Sequence, residues 1–311
     1  LQELSNAKLT IEKLVKNIAK AVVGKEDVIR PSVTALIADG HILLEDVPGV
    51  GKTLLAKSIA KSIDASFKRI QFTSDLLPSD VTGVSIYNQK SNEFEYIQGP
   101  IFANIVLADE INRGTPRTQS SLLESMEERQ VSVDGVTRLL PKPFFVIGTQ
   151  NPIESQGTFP LPDSQVDRFL MSLSVGYPSL EFEAQMLSIH SHKKSLAGNV
   201  ETIITIDEIQ KLQDIVYQIK ATDEIYNYIV RIVNQTRNHS DIMLGASPRA
   251  SVAMLMCAKA NALIEGRDYV IPDDIKAIAP YVLAHRLITY RAMSRKQVLE
   301  IIDNLMKKVS I

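Results

Sequence analysis

The sequence predicts an α/β protein: a parallel sheet whose first strand feeds a glycine-rich turn, followed by an all-helical second domain. Three observations carry this. The apolar run Ile42-Leu43-Leu44 turns through Asp46-Val47-Pro48-Gly49-Val50-Gly51-Lys52-Thr53 into a helical pattern starting at Leu54. Two more continuous apolar runs, Ile105-Val106-Leu107-Ala108 and Phe144-Phe145-Val146-Ile147, have the composition of strands buried on both faces. Beyond Gly176-Tyr177-Pro178-Ser179 strand patterns nearly stop and helical spacing takes over. That boundary divides the 311 residues into segments 1–178 and 179–311.

In chain order, residues 4–22 and 25–38 have helical spacing, separated by Gly24, with Pro31 early in the second helix. The stretch 42–53 reads as a phosphate-binding loop. A strand turning through glycines into a helix aims backbone N–H groups and a positive helix end at one point, which suits a polyphosphate. Lys52 would reach the β- and γ-phosphates and Thr53 would offer its hydroxyl to Mg²⁺. Asp46 stands where the motif has its first glycine. It is expected to take the left-handed φ that Asx residues accept and to turn its carboxylate away from the nucleotide. A helix over 54–63 and a short strand over 66–72 follow.

Alternation over 84–88 and 93–97 predicts an exposed hairpin. The apolar run from Ile105 ends in Asp109-Glu110, as at the tip of a buried parallel strand. There Asp109 would hold Mg²⁺ through water and Glu110 would orient the attacking water. Thr115-Pro116 opens a helix to Glu128, and the alternation around Asp134-Gly135 marks a second hairpin over about 130–140. The strand at 144–149 ends at Gln150-Asn151-Pro152. An amide at such a tip can contact a γ-phosphate, and the same residues can simply start a turn. Asp167-Arg168-Phe169-Leu170 leads into a fifth strand over 171–175. Helices are predicted at about 180–189, 206–219, 223–236, 248–264, 272–284 and 295–309. Arg249, in the first turn after Ser247-Pro248, opposes its helix dipole, which favours an anionic partner.

The composition is 45% hydrophobic and 23% charged with a formal net charge of −2, so no global basic field draws in nucleic acid or anionic lipid. The one cysteine, Cys257, excludes an intrachain disulfide and sits in an apolar helical stretch as a small buried residue. No apolar run approaches the ~20 residues that cross a bilayer, and no signal-peptide pattern opens the chain. A soluble cytoplasmic protein is expected. The five histidines have no metal-ligand spacing, and His190 and His192, beside Lys193-Lys194, read as a solvated face.

The phosphate loop, Asp109-Glu110, Asn151, Arg168 and Ser247-Pro248-Arg249, in this order and at these separations, resemble the Walker A, Walker B, sensor 1, arginine finger and sensor 2 of an AAA+ ATPase. The strings Leu44-Glu45-Asp46-Val47-Pro48-Gly49, Ala108-Asp109-Glu110-Ile111-Asn112-Arg113, Leu123-Glu124-Ser125-Met126-Glu127-Glu128-Arg129-Gln130-Val131 and Thr149-Gln150-Asn151-Pro152 are similar to the MoxR family. So are Asp167-Arg168-Phe169 and the stretch 272–287. The resemblance implies a five-stranded parallel sheet of order 5-1-4-3-2 in an αβα domain, then a helical lid. The hairpins at about 84–97 and 130–140 correspond to the family's insertions.

It further implies Mg²⁺-dependent ATP hydrolysis driving chaperone-like assembly or activation of partner proteins, in a ring, commonly a hexamer, beside a protein with a von Willebrand factor A domain. Pro48, Gly49, Val50, Gly51, Lys52, Thr53 and Leu54 would hold the phosphates, with Thr53 and Asp109 serving the metal. Val22 and Val23 would pack near adenine. Glu110 would prepare the water and Asn151 sense the γ-phosphate. Arg249 would report that same phosphate from the subunit's own lid, while Arg168 would act on the neighbour's nucleotide. Arg113 is expected to pair within its own helix. Two other readings stay open: a nucleic-acid-associated AAA+ motor, against which the near-neutral charge and the absence of a basic hairpin argue, and a nucleotide-dependent binding module without significant turnover.

Overall fold

The computed structural model describes residues 2–47, 49–152, 157–191 and 199–310. Helices α1 (Gln2–Ala19) and α2 (Glu26–Ile37) precede strand β1 (Ile42–Glu45) and helix α3 (Lys52–Ser62). Then come β2 (Phe67–Gln71), α4 (Pro78–Thr82), the hairpin β3 (Gly83–Asn88) and β4 (Glu93–Gln98), β5 (Ile105–Asp109), a 3-10 turn (Ile111–Arg113) and α5 (Pro116–Glu128). A second hairpin, β6 (Gln130–Val133) and β7 (Val136–Leu139), leads to β8 (Phe145–Gln150), α6 (Asp163–Val166) and β9 (Met171–Leu173). One sheet has the order β2-β5-β8-β1-β9 with every pairing parallel. Counting its strands along the chain gives 5-1-4-3-2, as expected, and all five C-terminal tips share one edge.

Both faces of β5, β8, β1 and β9 are buried, and successive residues serve opposite faces. Ile42, Leu44, Ile105, Leu107, Phe145 and Ile147 join an apolar cluster with α1, α2 and α3. Leu43, Val106, Ala108 and Val146 join a second cluster with Leu122, Leu123 and Met126 of α5. The continuous apolar runs in the sequence have this cause.

The first cluster continues into the helical part. This comprises α7 (Leu180–Ser191), α8 (Ile206–Gln218), α9 (Asp223–Arg237), β10 (Ile242–Leu244), α10 (Pro248–Ile264), α11 (Pro272–Leu283), a 3-10 turn (Ala284–Arg286), β11 (Ile288–Thr289) and α12 (Arg295–Lys308). Alanine-rich α10 is buried on most of its circumference and forms the centre, with Cys257 inside it. Burial raises the Cys257 thiol pKa, so the thiol is inert packing. Thr205 and Ser294 start α8 and α12 with capping boxes to Glu208 and Gln297. The antiparallel pair β10 and β11 lies outside the sequence expectation because strands of three and two residues carry no periodic signal.

Asp134 and Gly135 both have positive φ, 54° and 74°, the two-residue turn that Asp-Gly favours. The two hairpins touch: Ser85 bonds to Asp134, and the Arg138 guanidinium stacks 3.8 Å from the Tyr96 ring centroid. Among the described residues no helix is long and apolar enough to cross a membrane. The His192-Lys193-Lys194 segment lies outside the described residues, as does the His190 side chain.

Candidate active site

Beyond β1, the turn into α3 depends on Gly49 and Gly51, whose φ values of 86° and 98° are accessible at low cost only to glycine. Pro48 lies outside the described residues. Lys52, Thr53 and Leu54 form the first turn of α3, which carries no acidic residue and no side-chain cap. Its N-terminal N–H groups therefore suit an anion. Lys52 Nζ donates to the Asp46 carbonyl at 2.8 Å. Burial lowers the Lys52 pKa, opposed by the nearby carboxylates of Asp46, Asp109 and Glu110.

Asp46 departs from expectation in one respect. It is not among the residues with positive φ, since the two glycines supply the left-handed turns. Its carboxylate does turn away, accepting from Ser174 Oγ at 2.9 Å, from the Gly176 amide at 3.1 Å and from the Val175 amide. The motif position is thereby converted into a clamp on the chain leaving β9.

At the tip of β5, Glu110 adopts left-handed φ 55°, ψ 50°, a conformation costing a non-glycine residue about 1–2 kcal/mol. The Thr149 hydroxyl offsets this: it accepts from the Glu110 amide at 2.9 Å and donates to Asp109 Oδ1 at 2.6 Å. The two acids thus face different partners. Asp109 Oδ2 meets Arg69 at 2.6 Å, while Glu110 Oε2 accepts from Gln71 at 2.8 Å and pairs with Arg113 at 3.3 Å. Arg113 pairs locally, as its spacing implies, yet its partner is the candidate catalytic acid. Asn151 follows β8, between β5 and β1 in the sheet, and its carbonyl accepts from Asn112 at 3.5 Å. Lys52, Thr53, Asp109, Glu110 and Asn151 therefore gather at the C-terminal edge.

Thr53 and Asp109 are hard oxygen donors, and among the described residues no cluster of three or more His, Cys, Asp or Glu side chains could hold a metal unaided. That donor set fits Mg²⁺, which takes one or two protein oxygens beside phosphate and water.

Val22 is buried and Val23 half-buried in the turn after α1. Gly24, at φ 70°, leaves no room for a Cβ against the Phe182 ring of α7. Lys25 Nζ donates to the Tyr177 carbonyl at 2.7 Å, next to the Gly176 amide held by Asp46. The turn that carries the valines thus lies beside the segment after β9 that Asp46 holds.

Arg168 and Arg249 stand at the opposite edge. The Leu170 amide donates to the His41 carbonyl at 2.7 Å, which fixes Arg168 beside the start of β1. Arg168 and Arg249 both pair with Glu127 and line a cavity of about 350 Å³ with His41, Arg129 and Arg286. β1 alone separates this edge from the phosphate loop by roughly 13 Å at ~3.3 Å per residue. Arg249, expected to report its own subunit's phosphate, is therefore placed one strand length from that subunit's phosphate loop and not beside it. The start of α10 and the turn after α11 dock on the N-terminal edge, where Ser247 Oγ donates to Asp167 Oδ2 at 2.8 Å and buried Arg286 pairs with Asp167 at 2.6 Å.

Arg69, Gln71, Thr149, Glu127, Glu45 and Arg295 were not singled out in the sequence. Arg69 and Gln71 share one face of β2 by period-two alternation, and Arg295 repeats the signal seen at Arg249, an arginine opening a helix after a capping serine.

Residues 41–171 match the model of the ATPase family associated with various cellular activities (AAA), and residues 234–305 match the AAA lid domain. The chain is 41% identical over 306 residues to Chaperone MoxR1 of Mycobacterium tuberculosis (strain ATCC 25618 / H37Rv), covering 95% of this chain and 80% of that one. It is 55% identical over 278 residues to the uncharacterized protein YeaC of Bacillus subtilis (strain 168), covering 89% and 87%. A crystal structure from Cytophaga hutchinsonii ATCC 33406 superposes with a TM-score of 0.91 at 37% identity, covering 99% of this chain and 97% of that one. With the phosphate loop, the acid pair and the sheet order already in place, these similarities establish that the chain belongs to the MoxR family of AAA+ ATPases.

Proposed function

We propose that this chain hydrolyses ATP with Mg²⁺ and uses the cycle for chaperone-like assembly or activation of a protein partner. The observation that carries the reading is the gathering of Lys52, Asp109, Glu110 and Asn151 at one sheet edge, with Glu110 held by Thr149. Lys52 and the first-turn amides of α3 bind the phosphates, and Thr53 and Asp109 hold the metal. Bound Mg²⁺ neutralises phosphate charge. Gln71 and Arg113 engage Glu110 Oε2, so Oε1 is the oxygen assigned to the attacking water. Asn151 orients the γ-phosphate.

Rings are general among AAA+ proteins. In a head-to-tail ring the edge bearing Arg168 and Arg249 meets the neighbour's phosphate edge, so both arginines act in trans. A hexamer, and a partner with a von Willebrand factor A domain, belong to this proposal by family resemblance. The exposed β3–β4 hairpin supports a protein client over nucleic acid: it presents Phe94, Ile97 and Tyr87 beside Glu93 and Glu95. The test is phosphate release by the purified chain with and without Mg²⁺. Mg²⁺-dependent release supports the reading; nucleotide binding without release makes the chain a binding module, and DNA-stimulated release makes it a nucleic-acid motor.

A further inference from the structure

The lid also has an arginine on the nucleotide edge of the sheet. Arg295 opens α12, where a positive charge opposes the helix dipole and needs an acidic partner. Its Nη1 lies 2.7 Å from Glu45 Oε2 and donates to Ser172 Oγ at 2.8 Å, while Nη2 donates to the Ser172 carbonyl at 2.6 Å. The other oxygen of Glu45 accepts from Gln150 Nε2 at 2.7 Å. Both side chains of the ion pair are about three-quarters buried, at 27% and 21% exposure, so their geometry is held rather than sampled.

Glu45 thus bridges the tips of β8, β1 and β9 to a lid helix. Its chain neighbour Asp46 gives its carbonyl to Lys52. Gln150, its partner, immediately precedes Asn151. Any shift of Asn151 toward a γ-phosphate pulls on Gln150, and any shift of the loop pulls on Glu45; Arg295 is joined to both through one carboxylate.

We propose that Arg295 is the positioning residue through which the lid reads the nucleotide of its own subunit, the role that the opposite-edge placement of Arg249 leaves unfilled. This rests on the ATPase reading above. The fork of Arg295, bonded to Glu45 and to the Ser172 main chain together, moves α12 with the strand tips; a lysine cannot span both acceptors.

The experiment uses the full chain carrying Glu110→Gln, which holds ATP without turnover, and compares it with Glu110→Gln/Arg295→Met. Hydrogen exchange across 294–300 is measured without nucleotide, with ADP and with ATP. In the parent, ATP slows exchange there more than ADP does. In the Arg295→Met background the ATP–ADP difference disappears while ATP affinity stays within about twofold. In the otherwise native chain, Arg295→Met lowers kcat about tenfold with little change in KM, and Arg295→Lys recovers part of it. Because Arg295→Met leaves the Glu45 carboxylate without its cationic partner, Glu45→Gln/Arg295→Met is measured beside it and gives the same loss. An ATP–ADP difference that survives Arg295→Met, or is absent from an ATP-binding parent, overturns the inference and leaves the ATPase reading standing. A parent that binds no ATP removes both.

Discussion

Arg249, from the lid, and Arg168, from the approach to β9, grip opposite oxygens of one carboxylate, Glu127 Oε1 at 2.6 Å and Oε2 at 3.2 Å. Both arginines therefore work from one place. If that place serves a neighbouring subunit, Arg168→Ala and Arg249→Ala each abolish turnover while leaving ATP affinity of the isolated chain within about threefold. Mixing Arg168→Ala with Glu110→Gln, two inactive chains, restores activity, since about a quarter of head-to-tail interfaces in a random equal mixture pair an intact Glu110 with an intact Arg168. Phosphate release from the mixture measures this; no recovery in assembled rings contradicts trans action.

Thr149→Val removes the acceptor of the strained Glu110 amide and the donor to Asp109. Leaving a buried N–H unpaired costs about 1–3 kcal/mol. A lower melting temperature is expected, with a fall in kcat of at least about tenfold because Glu110 loses its fixed orientation. A variant with reduced Tm but native kcat would separate Thr149 from the chemistry.

Two histidines, His41 buried and His285 half-buried, set the acid side of stability. His41 accepts from the Val146 amide at Nδ1, 3.0 Å, so Nε2 donates to the Met126 carbonyl at 3.1 Å, which is the neutral ring. Burial, then the Arg129 charge, pushes the His41 pKa well below its usual value; burial, then Arg286, does the same at His285. Both bind a proton in the unfolded chain near pH 6.5 and not in the folded one. Stability is full above that pH and falls on acidification, by up to ~1.4 kcal/mol per pH unit for each ring. His41→Gln halves the slope of Tm against pH below 6.5, measured by calorimetry.

Gly24→Ala places a Cβ at φ 70° against the Phe182 ring. It should lower Tm and weaken ATP binding together, because the turn at Val22 and Val23 is displaced from the loop. Fluorescent-nucleotide titration beside a melting curve checks both. Weakened stability with native affinity would remove the valines from the adenine site.

Features written in neighbouring residues were legible in the sequence. Thr115-Pro116, Ser247-Pro248 and Pro272 mark helix starts that the fold reproduces, and Asp134-Gly135 fixes its hairpin turn. The sheet edge holding Lys52, Asp109, Glu110 and Asn151 was equally readable, because each residue sits at the tip of its own apolar strand or loop. What escaped depends on contacts across long separations. The lid's position rests on Asp167 meeting Ser247 and Arg286, 80 and 119 residues away, and nothing local to Arg249 records it. The ion pair of Glu45 with Arg295 spans 250 residues and was invisible for the same reason.

The most direct measurement is phosphate release by Glu110→Gln set beside its ATP affinity. The expected result is affinity near that of the native chain with turnover reduced at least about a hundredfold, the loss of the group that orients and polarises the water. Native turnover in that variant would contradict the assignment of the C-terminal sheet edge as the hydrolytic site.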